Sequence, residues 1–166
     1  MPLASAIPAM TDAMGTVVSE MNEGDENTNV GEKWAVVAEA FFQNGLNPAW
    51  TPAGLAAGKT AFAGAFGASV APDPIGATLA TALQNGFQAF GALASVPANA
   101  APGLPAQLVP IVPPPAPPVI VSITTPASDS YDAIITEIHP KLVTWATTGL
   151  VSVTTPGGPV PTTPWT

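Results

Sequence analysis

The residue types that could do chemistry begin with Ala53-Gly54-Leu55-Ala56-Ala57-Gly58-Lys59-Thr60. This stretch fits the loose form of a phosphate-binding P-loop, in which backbone amides and a lysine cradle nucleotide phosphates; the strict form has glycine where Ala53 stands. Such a loop follows a buried strand, and residues 41–52 hold no apolar run that could form one. No later apolar strand ends in an aspartate to hold magnesium. An Ala/Gly-rich helix surface accounts for the same residues without a nucleotide.

Asp25, Asn27 and Asn29 place side-chain oxygens at alternate positions, as a calcium loop does. The pattern then fails. Val30 stands where the sharp turn needs glycine, and Val36 where the bidentate carboxylate belongs. A solvated acidic loop is the reading we adopt. His139 is the single histidine, with Asp129, Asp132 and Glu137 nearby, and could be imagined as a metal ligand or a base. No second ligand lies four residues along its helix face, and there is no Gly-x-Ser-x-Gly elbow. Paired carboxylates for glycoside cleavage are compatible with spacing alone, but they need a rigid cleft that this composition hardly supplies. We therefore expect no enzyme, no cofactor, no metal site and no small-molecule substrate.

The elements that would have to position such groups are set by an unusual composition. Of 166 residues, 21 are proline, about twice typical usage, and only 8% are charged. Lys33, Lys59 and Lys141 are the only strong bases, and the formal net charge is −8. Nucleic-acid affinity rests on Lys and Arg displacing counterions, so nucleic acid is excluded as a partner. There is no cysteine, which removes disulfides and thiolate chemistry. Met1-Pro2-Leu3-Ala4 lacks a basic leader region, so no signal peptide is expected.

Apolar periodicity marks five helices. Ile7, Met10, Met14, Val17 and Met21 form the first stripe; Trp34, Val37, Ala38, Phe41 and Phe42 form the second, with Asn29 and Glu32 spaced as a capping pair and Gly45 as its stop. The third opens at Thr51-Pro52 and carries Leu55, Phe62, Phe66 and Val70. The fourth opens at Asp73-Pro74 and aligns Ile75, Leu79, Leu83, Phe87, Phe90 and Leu93, with Thr81, Gln84, Asn85 and Gln88 opposite. Residues 75–96 are uncharged and near the length of a membrane helix, but three central amides argue against insertion, and no membrane is expected. The fifth aligns Tyr131, Ile135, Ile138, Leu142 and Trp145, with Pro140 expected to kink it.

From Ile75 to Ser128 there is no charged side chain, and ten prolines interrupt the run. Pro113-Pro114-Pro115-Ala116-Pro117-Pro118 favours extended polyproline II. Short strands are expected at 119–123 and 150–154. The division is an Ala-rich helical region (1–96), a Pro-rich extended linker or arm (97–118), and a strand, kinked helix, strand and extended tail (119–166). The fold class is mainly α, with short helices, a Pro-rich arm and one or two short β-strands, and not a single compact globule. Burial of the arm is expected against other chains, with Trp50, Phe62, Phe66, Phe87, Phe90, Trp145 and Trp165 as assembly-interface anchors.

The helix at 134–148, running into Gly149-Leu150-Val151-Ser152-Val153-Thr154-Thr155-Pro156-Gly157-Gly158 and a Pro/Thr tail, resembles small virion structural proteins of tailed bacteriophages. That resemblance implies a subunit of a tail, neck, baseplate or capsid-associated structure, assembled in the host cytoplasm, with other virion proteins and copies of itself as partners. The alternative is a secreted or cell-surface protein of two helical modules joined by a Pro-rich linker; a small hydrolase is the third.

Overall fold

The computed structural model describes residues 6–20, 27–45, 52–69, 77–93, 111–112, 115–120, 131–151, 154–155, 158–159 and 163–164. These residues are mainly helical: α1 (Ala6–Glu20), α2 (Asn27–Gly45), α3 (Pro52–Ser69), α4 (Ala77–Leu93) and α5 (Tyr131–Ala146). Each stripe read from the spacing is the face that packs. Met10, Met14 and Val17 of α1 are buried, as are Trp34, Val37, Ala38, Phe41 and Phe42 of α2 and Ile135, Ile138, Leu142 and Trp145 of α5.

Helix boundaries follow local chemistry with two differences. Pro52 is the first residue of α3, where its missing N–H costs nothing. By contrast α2 starts at Asn27, so Asn29 lies in its first turn and is not its cap. The helix α4 starts at Ala77, later than the Asp73-Pro74 start expected. Pro140 sits on an exposed position of α5, which continues through it to Ala146. The end of α5 is tightened by Thr148 N–H donating to Trp145 O and Gly149 N–H to Ala146 O, both at 3.0 Å, while the Thr147 and Thr148 hydroxyls donate to Thr144 O and Trp145 O at 2.7 Å. These bonds satisfy carbonyls that a helix end leaves without partners.

The helix α2 packs between α1 and α3, α3 packs between α2 and α4, and α5 packs on α1. Contacts between α3 and α4 run in opposite chain directions, Gly58 meeting Phe90 and Phe62 meeting Gly86. The same holds between α2 and α3, where Gly31 meets Ala63 and Glu39 meets Lys59. At each crossing a glycine admits a backbone or a ring that a β-carbon would obstruct.

All six phenylalanines of the chain lie in the core, each no more than 1% exposed. Phe42 stacks on Phe90 with centroids 4.3 Å apart and planes 5° from parallel. Phe41, Phe62 and Phe87 add edge-on contacts, Phe41–Phe87 at 5.9 Å and Phe62–Phe87 at 5.4 Å. Trp145 of α5 meets Phe42 and Phe87 edge-on. Buried side chains of all five helices and Ile120 form one cluster. Burying a side chain of this size is worth about 1.5–3 kcal/mol, so this cluster is the main source of cohesion.

Three expectations are corrected here. The helices before and after the Pro-rich segment share this single core, so the boundaries at 96/97 and 118/119 do not separate independently packed parts. Phe62, Phe66, Phe87, Phe90 and Trp145 are covered by their own chain, which leaves them unavailable as interface anchors; Trp50 and Trp165 lie outside the described residues. The strand expected at 119–123 is not one at Val119 and Ile120, and 121–123 lie outside the described residues.

The β-structure consists of two-residue pairings: β1 (Ile111–Val112), β2 (Leu150–Val151), β3 (Thr154–Thr155), β4 (Gly158–Pro159) and β5 (Thr163–Pro164). β2 lies between β1 and β5, antiparallel to both, and β3 pairs antiparallel with β4. The strand expected at 150–154 is thus divided between two pairings. Pro159 and Pro164 occupy edge strands, where a residue without an N–H is tolerated.

Candidate functional site: a proline segment on a tryptophan seat

The residues with chemical potential are placed apart. Gly54 to Thr60 lie within α3, where Gly54 and Gly58 are buried in helix packing, not in a loop facing solvent. Lys59 Nζ is 2.9 Å from Glu39 Oε2, which gives its charge a partner across the α2–α3 interface. Asn27 and Asn29 are helical, and Asp25 lies outside the described residues. His139 is 5% exposed, with its ring edge-on to Phe41 at 6.1 Å, so packing occupies it. Among the described residues no three His, Cys, Asp or Glu side chains are grouped to hold a metal ion. No helix among them is long and apolar enough to cross a membrane; α4, at 17 residues, spans only about 25 Å.

The most constructed surface lies where the Pro-rich segment meets α5. Pro115, Ala116 and Pro117 are exposed, Pro118 and Ile120 are buried, and Val119 is 74% exposed. Ile120 N–H donates to Pro118 O at 3.1 Å, closing a three-residue turn. That turn sends Val119 outward and the residues on either side of it inward. Trp145 supplies the seat: its indole N–H donates to Ala116 O at 2.8 Å and reaches Gln88 Oε1 at 3.3 Å. One donor therefore ties the Pro-rich segment, α4 and α5 together.

A groove of about 340 Å³ follows this contact, lined by Pro115, Ala116, Pro117, Val119, Lys141, Thr144, Trp145 and Thr148. Proline-rich segments dock on aromatic surfaces because polyproline II is preformed and loses little entropy, and its carbonyls point outward to accept hydrogen bonds. Here the segment and its aromatic surface belong to one chain. Two shallower grooves lie elsewhere, about 420 Å³ between α2 and α3 beside Glu32 and Lys59, and about 340 Å³ between α1 and α2 beside Asn29 and Lys33.

Sequence reasoning placed Trp145 on the apolar stripe of α5 but missed its partners. Gln88 was expected on the outward face of α4, whereas it is half-buried and accepts from the indole. A signal existed: an indole N–H needs an acceptor when its ring is buried, and the proline run supplies carbonyls whose own residues give no N–H. Spacing alone does not identify which carbonyl.

The chain matches no family model, no curated protein and no solved structure.

Proposed function

We propose that this chain is a non-enzymatic structural subunit of a bacteriophage particle, a tail, neck, baseplate or capsid-associated component whose Pro-rich arm contributes to assembly. The observation that carries this reading is the neutrality of what the core leaves outside. The outward positions of α3 are Ala53, Ala56, Ala57, Thr60, Gly64 and Ala68, and those of α4 include Thr81, Asn85 and Ala92. Not one is charged. Small neutral side chains let another backbone approach closely, and depletion of charge is the compositional mark of permanent interfaces. The shared core removes a structural basis for the rival reading of two helical modules joined by a linker.

With the phenylalanines committed internally, contacts to other virion proteins and to copies of itself fall to these helix faces and to the arm. The test is purification of particles from infected host cells and quantitative mass spectrometry of their proteins. A fixed stoichiometry of this chain, retained through density-gradient and salt washes, is the expected result. Recovery only in the soluble lysate or the culture medium refutes the reading.

A further inference from the structure

The geometry points to exchange of the strap formed by residues 111–120 between two copies of this chain, the strap of one copy seating on Trp145 of the other. This deepens the assembly reading by naming a second copy as the occupant of the groove on α5. The strap's described contacts converge on one region: Ile111 and Val112 pair with Val151 and Leu150, and Ala116 O accepts from Trp145. Both partners lie on or immediately after α5. The strap is thus a unit docked on a unit, and the interaction has the chemistry of a proline-rich ligand on an aromatic surface.

Exchange needs connections long enough to reach. Seventeen residues (94–110) separate α4 from β1, and ten (121–130) separate Ile120 from α5. Their extended reach is at most about 56–61 Å and about 33–36 Å. The shorter one exceeds the length of α5, about 24 Å for 16 residues. A strap can therefore leave its own α5 and lie on a neighbour's while making the same contacts. Swapping of this kind costs little because every contact of the closed form is remade. Connection through the chain gives the strap an effective concentration of the order of millimolar at its own seat, so exchange is favoured where copies are packed at comparable density. Val119, the most exposed large apolar side chain of the described residues, adjoins the seat and would be covered by the second copy.

The chain contains no cysteine, which makes thiol cross-linking specific. Ala116 and Thr148 are exposed and line the groove from the strap and from the end of α5 respectively. Full-length Ala116→Cys and Thr148→Cys chains are mixed over a concentration series and treated with a short thiol-to-thiol cross-linker. A mixture of Ala116→Cys with Ala57→Cys, on the outer face of α3, is the control. The expected result is a heterodimer from the first mixture, increasing with concentration and lost when a peptide of residues 111–120 is added in excess. The double variant Ala116→Cys/Thr148→Cys should close internally in dilute solution. Internal closure with no heterodimer above the control at any concentration overturns exchange. Absence of both internal closure and heterodimer overturns the seat itself. Neither failure alters the particle stoichiometry, which tests the assembly reading separately.

Discussion

Replacing Gly31 with alanine isolates how closely α2 and α3 must approach. A β-carbon at Gly31 would lie 2.6 Å from Ala63 O and 3.1 Å from Ala63 Cα. Ordinary contact begins at 3.4 Å, so the backbones would have to separate by about 0.8 Å (3.4 − 2.6). The obstructing atoms are backbone of a buried helix, which no rotamer change can move aside. Overpacking of this kind costs about 1–3 kcal/mol, and the rigid obstruction places Gly31→Ala toward the upper end. Alanine's better helix propensity returns about 1 kcal/mol, leaving a net destabilisation of about 1–2 kcal/mol. Gly64 supplies the matched control, being in α3 beside Ala63, exposed, with nothing within 4 Å of an added β-carbon. Gly64→Ala keeps only the propensity gain and should stabilise by about 0.5–1 kcal/mol. At about 2–4 °C per kcal/mol for a chain of this size, the two variants should straddle the parent and differ by roughly 3–12 °C in Tm. Thermal unfolding followed by circular dichroism at 222 nm, with urea titration as a check, measures both. Equal stabilisation by the two substitutions would refute the close crossing.

Phe42→Ala should cost about 3–5 kcal/mol, since Phe42 stacks on Phe90 and also touches Phe41, Phe87 and Trp145; urea denaturation that shifts by less than about 1 kcal/mol would contradict a shared aromatic core. Trp145→Phe retains a ring but removes the donor to Ala116 O, so limited proteolysis should cut residues 111–120 faster than in the parent while helix content stays constant. Lys59→Ala breaks a partly exposed ion pair to Glu39 and should change stability by no more than about 1 kcal/mol. Thermal shift with ATP and magnesium should be absent in both parent and Lys59→Ala chains; a parent-specific shift would reinstate the phosphate-binding reading.

What could be read from the sequence was the orientation of each helix about its own axis. Spacing of three and four between Met10, Met14 and Val17, or between Ile135, Ile138, Leu142 and Trp145, states which face leaves water. It does not state what covers that face, because apolar burial is proportional to area and nearly indifferent to direction. For that reason the stripes of α2, α3 and α4 could be read as surfaces for other subunits, when they cover one another. The decisive signals were Gly31, Gly58 and Gly86, whose meaning depends on a neighbour that only the folded chain supplies. The strap was obscured in the same way: proline density announces an extended backbone, but the turn at Pro118–Ile120 and the indole bond to Ala116 are tertiary events.

Closure of the aromatic core changes where assembly energy must come from. A chain whose phenylalanines lined an interface would be marginal alone and would gain most of its stability on association. This chain has already buried them, so association must draw on small neutral helix faces, on Val119 and on the strap. Interfaces of small residues gain from shape fit and lose sharply when a single side chain is enlarged, because dispersion falls off within an ångström of separation. Enlarging Ala57 or Gly64 on the outer face of α3 therefore leaves the isolated fold nearly unaffected and acts on association alone. That separation of effects is the opposite of what aromatic interface anchors would produce, where each truncation weakens both, and it distinguishes the two designs without knowledge of the partner.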